Sequence, residues 1–495
     1  MSGYLGGHVS VALITDLYQL TMAYGYWKTK RHEQPSVFHL SFRTNPFRGG
    51  YAITAGLAPV LEALEGFRFS ADDIEYLRTL RGNDHQPLFE SEFLAYLTDL
   101  ALSCDIDAIP EGTVVFPHEP LLRVEGPLLQ CQILETFLLN GINFPTLIAT
   151  GASRVCHAAE GDTVLEFGLR RAQGIDGAMT ASRAAYIGGC DATSNVLAGK
   201  RYDIPIKGTH AHSWVMAFED ERESFQAYAN AMPNNCIFLV DTYDSLNGVR
   251  NAISVAIELR NQGHEMIGIR LDSGDILSLS KQARVMLDEA GFSEAKIVAS
   301  NDLDEHEIER LKRAGAEVDI WGVGTRLVTA YAQPALDGIY KLSAIGDSTG
   351  RWLDRLKLSE QPVKVSNPGI QQVRRFTSQG QAKADVIYDN RDVMGDTPRM
   401  MPFLCDPTAS LRTVQCDGNW EYEDLLIPVL RQGRRVGTSP SLHQIRDRAA
   451  TQLQMFSPDI RRLVDPLVYP TGLDPKLFAV KKKLVEAAPL QKTPG

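Results

Sequence analysis

Through the middle of this chain, short apolar runs rich in β-branched residues alternate with longer stretches of helical period. "CIFLV" at 236–240 has the character of a buried strand. The stretch after it, "SLNGVRNAISVAIELRNQG", places Val249, Ile253, Ala256 and Ile257 at helical spacing. "MIGIRL" (266–271) is the next strand. "ILSLSKQARVMLDEAG" then predicts a helix with Ile276, Leu279, Ala283 and Leu287 on one face and Gly291 at its end. "KIVAS" (296–300), the helix "LDEHEIERLKRAG" and "VDIW" (318–321) repeat the pattern. Upstream, "TVLEFG" (163–168) and "DIPIKG" (203–208) are two more strands, and "IYKLSAI" (339–345) is one downstream. Strand starts recur at roughly 20–30 residues, the spacing of βα units with parallel strands and covering helices. The expectation is an α/β barrel, irregular or incomplete. A doubly wound open sheet competes, and periodicity does not separate the two.

Outside this region the pattern shortens. "SVFHLSF" and "GTVVFP" are strands, and "DIDAIPEGTVVFPHEPLLRVEGPLLQ" alternates apolar runs with Pro and Gly, as β-hairpins do. The segment 347–440 has hairpin-like punctuation. The tail after Lys481 looks frayed.

The chemistry gathers just past the strands. Arg170 and Arg171 follow the first, and Thr209, His210 and His212 follow the second. Asp241 follows Val240. Arg270, Asp272, Ser273 and Asp275 close the next strand, and Ser300, Asn301 and Asp302 the one after. Gly322, Gly324 and Thr325 come after Trp321. In either architecture the ligand site lies at the carboxyl ends of the strands, so these residues should converge on one pocket. Any one of them alone is an ordinary turn residue.

Composition narrows the class of ligand. The chain has 495 residues, 44% hydrophobic and 22% charged, as in soluble globular proteins of two or three domains. A net charge of −11 argues against nucleic-acid binding through a broad basic face. No apolar run approaches a membrane span and no secretory leader is visible, so a cytoplasmic location is expected. Seven scattered cysteines form no CxxC, which fits a reducing compartment. Cys405, Cys416 and His443 match no standard zinc spacing.

Each candidate has two readings. Asp272 and Asp275 could hold Mg²⁺, or Asp272, Ser273 or Asp275 could cap the helix near Ile276. "WGVGTRL" could cradle a phosphate with backbone N–H groups, or form a tight turn. Arg270 could pair with a planar anion. The adjacent arginines could contact pyrophosphate, or be solvated. His212, with Asp241 setting its tautomer, could be a nucleophile that accepts a phosphoryl group; His210 is the rival, and spacing does not choose. A metal-dependent aldolase on a similar barrel and a silent nucleotide-binding protein are alternative functions.

"LITDLYQLTMAYGYW", "FHLSFRTNPF", "EFGLRRAQG", "ATSNVLAG", "GTHAHSW", "VDTYDSLNG", "RLDSGD" and "WGVGTRLVTA", in this order, resemble the nicotinate phosphoribosyltransferase family. The resemblance covers about Thr15 to Leu342. It implies an irregular, TIM-like α/β barrel and a second α/β domain formed largely by the N-terminal segment and a C-terminal extension. The expected division is 1–140, completing the partner subunit's site, 141–346, the catalytic barrel, and 347–495, the extension. It implies conversion of nicotinate and 5-phosphoribosyl-1-pyrophosphate to nicotinate mononucleotide in NAD salvage, with ATP hydrolysis, Mg²⁺ and a homodimer with shared active sites. His212 is then the phosphorylated residue, with Asp241 orienting it and Asp272 a ribose or metal-site carboxylate. Tyr18, Arg170, Ser194, Thr209 and Arg270 would bind nicotinate. Arg171, Ser273, Ser300, Asn301, Asp302, Gly322, Gly324 and Thr325 would bind the phosphoribosyl pyrophosphate. The related nicotinamide enzymes carry an aspartate in the loop where this chain has Ser194. A neutral residue suits a carboxylate substrate better.

Overall fold

The computed structural model describes residues 2–3, 7–8, 11–359, 361, 364–403, 410–415 and 419–487. The chain divides into two compact units, Ile148–Pro334 and a unit combining Met1–Leu147 with Ala335–Gly495.

Ile148–Pro334 is built on a parallel sheet of six strands: Thr163–Glu166 (β1), Ala192–Thr193 (β2), Ile237–Leu239 (β3), Gly268–Leu271 (β4), Lys296–Ala299 (β5) and Ile320–Val323 (β6). Their order is β3-β4-β5-β6-β1-β2, so the first strand lies beside the last. Phe238, Leu239, Ile269, Leu271, Ile297, Val298, Ala299, Trp321 and Val323 are buried. Such near-continuous apolar strands are what parallel sheets covered by helices require.

The helix after β3, Ser245–Asn261, is capped by the Asp244 carboxylate. Its buried stripe is Val249, Ala252, Val255, Ala256 and Leu259. Ile257, expected inside, is 48% exposed because the stripe drifts toward Val255 and Leu259. Gly248 lets this helix meet the sheet, since a Cβ there would stand 2.0 Å from the Val240 carbonyl oxygen. Gly248→Ala is expected to cost about 1–3 kcal/mol through overpacking. Urea unfolding with an unchanged slope and a lower midpoint would show it.

Three strand expectations are corrected. The last parallel strand is Ile320–Val323, not 318–321, because Asp319 stands at its entry with its carboxylate on the Ile297 N–H. The segment 203–208 makes only an isolated bridge, Ile206 to Thr193. Asp203 there takes a left-handed φ of 57°, and Pro205 has no N–H to donate. The strand Ile339–Gly346 is not in the parallel sheet but pairs antiparallel with Pro35–Ser41. A run of β-formers says nothing about which sheet it joins. Conversely, Ala192–Thr193 is too short to show a period and was not expected.

The other unit holds a seven-stranded sheet ordered Trp352–Asp354, Ile339–Gly346, Pro35–Ser41, Leu122–Pro127, Asp105–Ala108, Ile427–Arg431 and Arg434–Arg435. A second sheet contains the hairpin Gln371–Ser378 and Gln381–Asp389. Lys482 to Ala487, expected to be frayed, continue the helix Pro475–Ala487; 488–495 lie outside the described residues. Lys481 anchors that helix, its Nζ donating to Asn367 Oδ1 and the Phe403 carbonyl. Cys405 and Cys416 also lie outside the described residues. Among the described residues no helix is long and apolar enough to cross a membrane.

Candidate active site

At the carboxyl ends of the parallel strands lies a cleft of about 620 Å³. It is lined by Arg170, Arg171, Ser194, Thr209, His212, Arg270, Asp272, Ser300, Asn301, Asp302, Gly322, Gly324 and Thr325. These residues come from six separate segments. The chain brings them together because five of the segments lie at the carboxyl ends of parallel strands that the apolar core fixes in place, and the sixth, Thr209–His212, follows the bridge of Ile206 to Thr193.

Arg270 is the penultimate residue of β4 and is half-buried. Its Nη1 donates to Thr209 Oγ1 at 2.7 Å and its Nη2 to the His210 carbonyl at 3.3 Å. Among the described residues its Nε is buried without a partner. Burial pushes the guanidinium down from its ordinary value and the charge of Arg170 adds to this; Asp272 and Asp241 oppose it. A guanidinium stays protonated in such a place, so it has a strong demand for an anion.

His212 and His210 separate cleanly. His212 opens the short helix His212–Met216, with a side chain 39% exposed to the cleft. Its Nδ1 lies 3.1 Å from Thr242 Oγ1 and its Nε2 3.6 Å from Asp272 Oδ2. His210 is buried, and its ring packs against Phe225 and Tyr228.

Asp241, expected to orient the His212 ring, has other partners. Its Oδ2 accepts from the Asp272 N–H at 2.8 Å and from Ser273 Oγ at 2.6 Å. The residue on the ring is its neighbour Thr242, which the motif "VDTYDS" contained but did not single out. Asp272 accepts from Ser300 Oγ. Ser273, held on Asp241, and Asp275 are not part of the cleft wall. Asp275 is the cap of the helix Ile276–Glu289, accepting from the Ser278 N–H, so the helix-cap reading describes it and the metal reading does not.

Two further residues were missed. Glu166 is fully buried at the end of β1, its Oε2 accepting from Ser182 Oγ at 2.8 Å and Thr193 Oγ1 at 2.6 Å. Its Oε1 accepts from the Gly168 N–H. One carboxylate thus ties the turn carrying Arg170 to the loop carrying Ser194. Phe167 lines the cleft, and a Cβ at Gly322 would stand 2.8 Å from its ring, which explains that glycine. Asn301 holds a φ of 100°, a strained value for a residue with a side chain. Tyr18 lies in the other unit, in the first turn of the helix Leu17–Lys28, and is 48% exposed.

No group of three or more His, Cys, Asp or Glu among the described residues is placed to hold a metal ion. Asp241 Oδ1, however, is buried without a partner among them and belongs to the carboxylate that carries the Asp272 N–H. Asp272, which lines the cleft, offers Mg²⁺ an oxygen ligand beside water and substrate phosphates, whereas Asp241, like Ser273 and Asp275, is not part of the cleft wall.

Comparisons with known proteins agree along the chain. Three family profiles match in order: the nicotinate phosphoribosyltransferase N-terminal domain over 13–143, the nicotinate phosphoribosyltransferase family over 163–349, and its C-terminal domain over 370–481. Nicotinate phosphoribosyltransferase from Bacillus subtilis is 42% identical over 481 residues, covering 96% of this chain and 95% of its own. The Dictyostelium discoideum protein of the same name is 39% identical, covering 96% and 88%. The crystal structure of human nicotinic acid phosphoribosyltransferase superposes with a TM-score of 0.82 at 32% identity, covering 95% of this chain and all of that one. Nicotinate-nucleotide pyrophosphorylase from Pyrococcus furiosus, at 22% identity and a TM-score of 0.69, shares the fold. A mixed α/β chain with a parallel sheet, matched from end to end in this way, belongs to the nicotinate phosphoribosyltransferase family.

Proposed function

We infer that this chain is a nicotinate phosphoribosyltransferase, making nicotinate mononucleotide and pyrophosphate from nicotinate and 5-phosphoribosyl-1-pyrophosphate in NAD salvage, with coupled ATP hydrolysis through a phosphohistidine at position 212. The observation that carries the reading is one cleft holding both an anion-seeking Arg270 and an accessible imidazole held by Thr242. The irregular barrel belongs to the same reading. It is supported by a strand order in which the consecutive strands adjoin except β2 and β3, and the first meets the last, which a doubly wound sheet does not give.

The nicotinate carboxylate is assigned to Arg270 and Arg170, with Thr209 beside them and Phe167 offering an aromatic face to the ring. Ser194 adds no negative charge there. The ribose and 5′-phosphate are assigned to Ser300, Asn301 and Asp302 and to the turn Gly322–Thr325, and the pyrophosphate to Arg171. Tyr18 of the partner subunit would stack on the pyridine in a homodimer with shared sites.

Asp272 would hold Mg²⁺, which when bound neutralises phosphate charge. Positive charge develops at the anomeric carbon as pyrophosphate leaves, and the nicotinate nitrogen, held in line by Arg270, takes its place. For the ATP half-reaction, Nδ1–H donating to Thr242 leaves the Nε2 lone pair to the cleft. A bond from Nε2 to the γ-phosphorus forms as the bond to ADP breaks, and water later cleaves the P–N bond. The added charge, about −1.5 to −2 by analogy with other phosphorylated side chains, orders the loops around it.

Thr242→Val keeps the shape and removes the hydrogen bond. Histidine phosphorylation is expected to slow about 10–100-fold with KM for nicotinate little changed, measured by single-turnover labelling. Incubation of the protein with nicotinate, 5-phosphoribosyl-1-pyrophosphate, ATP and Mg²⁺ tests the reading. It requires nicotinate mononucleotide and ADP release that nicotinate stimulates. An aldolase or a silent binding protein would give neither.

A further inference from the structure

The parallel sheet has two edges. At one, the residues 205–207 attach to β2: Thr193 N–H donates to Pro205 O at 3.0 Å and Lys207 N–H to Thr193 O at 3.1 Å. At the other, β3 pairs with β4 alone among the described strands, leaving the outward N–H of Leu239 without a ladder partner. That donor is not orphaned. It gives its hydrogen to His210 Nε2 at 3.2 Å, in a buried contact.

We propose that His210 is a positioning residue: its imidazole stands in for the missing strand pairing, joins the two sheet edges and thereby fixes the Thr209–His212 turn on which the ATP half-reaction depends. The proposal rests on the function inferred above. The chain leaves β2's edge after Lys207 and reaches β3's edge three residues on, at His210, too short a run for another strand. A side-chain acceptor spans the gap. The turn is also tied from within, since Arg270 donates to Thr209 Oγ1 and to the carbonyl of His210 itself. Loss of the latch would therefore shift both the nicotinate arginine and the phosphoacceptor.

The ring can serve only as the neutral Nδ1–H tautomer. Nε2 must accept, and Nδ1 faces the Ala211 carbonyl at 3.4 Å. Its surroundings favour that form. Burial first, and then the charges of Arg270 and His212, push its pKa down to about 4 against the pull of the Ala211 carbonyl.

Glutamine places its amide oxygen near the position of Nε2, whereas phenylalanine keeps the bulk and loses the acceptor. In His210→Phe, exchange of the Leu239 amide hydrogen is expected to accelerate at least about a hundredfold. His212 phosphorylation should slow about 10–100-fold and KM for nicotinate should rise, while His210→Gln restores most of each. Unchanged Leu239 exchange in His210→Phe, or a Gln variant as impaired as the Phe variant, would overturn the proposal. Should His210→Phe not fold, nitrogen-15 spectra of histidine-labelled wild type decide it. The Nδ1–H tautomer is expected, and an Nε2–H or doubly protonated ring at pH 7 contradicts it. Failure of the proposed activity would leave that spectrum and the amide exchange unaffected, so the two readings fail separately.

Discussion

Replacing His212 by alanine is expected to abolish ATP-driven enhancement while leaving a slow, uncoupled phosphoribosyl transfer. Of the two histidines that line the cleft, His210 is committed to the sheet and His212 is not. His210 spends both nitrogens on backbone groups, Leu239 N–H and the Ala211 carbonyl. His212 spends one on Thr242 and leaves the other 3.6 Å from Asp272. On the proposed assignment, removing it deletes the nucleophile of the ATP half-reaction and nothing in the nicotinate pocket. Nicotinate-stimulated ADP release should fall by about a thousandfold or more, as for other covalent nucleophiles. Mononucleotide formation should fall much less and become indifferent to ATP. Steady-state ADP and product assays run in parallel, with and without ATP, measure both. Full ATP coupling in His212→Ala would contradict the assignment.

Much of this site was legible in the sequence because parallel α/β sheets put their chemistry at one end of the strands. Finding Arg170, Thr209, Asp272, Ser300 and Thr325 on one wall needed only the strand ends and the rule about where ligands bind. What failed was contact-level detail. The orienting partner of His212 was placed on Asp241, one residue away from Thr242, because a carboxylate is the commoner partner and adjacent loop residues point in different directions. Glu166 escaped notice since a buried carboxylate satisfied by neutral hydroxyls looks like any glutamate in a strand. Asp275 had two readings that only its bond to the Ser278 N–H could separate. The strand Ile339–Gly346 was found, but its sheet was not, because strand character carries no information about its neighbour. The imidazole that spans the sheet edges at His210 is a tertiary feature with no local signature.

Arg270→Ala should give the second large effect, this time in the nicotinate half-reaction. The guanidinium is desolvated, carries Thr209 and leaves its Nε unpartnered among the described residues, so its charge is available to a carboxylate. Truncating one side of such a charged, buried pair costs about 2–5 kcal/mol, or roughly 30-fold to a few thousandfold in kcat/KM for nicotinate. The loss should fall mainly on KM if Arg270 binds ground state and transition state alike, and on kcat if it also aligns the ring nitrogen. Arg270→Lys should recover little. A lysine ammonium supplies charge without the planar fork that serves Thr209, the His210 carbonyl and a carboxylate together. Initial rates over a range of nicotinate concentrations, with Asp272 and His212 intact, separate these cases. A wild-type kcat/KM in Arg270→Ala would remove Arg270 from the carboxylate site.

The central claim is a P–N bond on one particular ring. Incubating the protein with γ-labelled ATP and Mg²⁺, then mapping the label by mass after digestion, tests it directly. Acid-labile, base-stable label on the peptide holding Thr209 to Trp214, located at His212 and absent from the His212→Ala variant, is the outcome required. Label on His210, on a carboxylate, or on no residue while ADP is still released would contradict it.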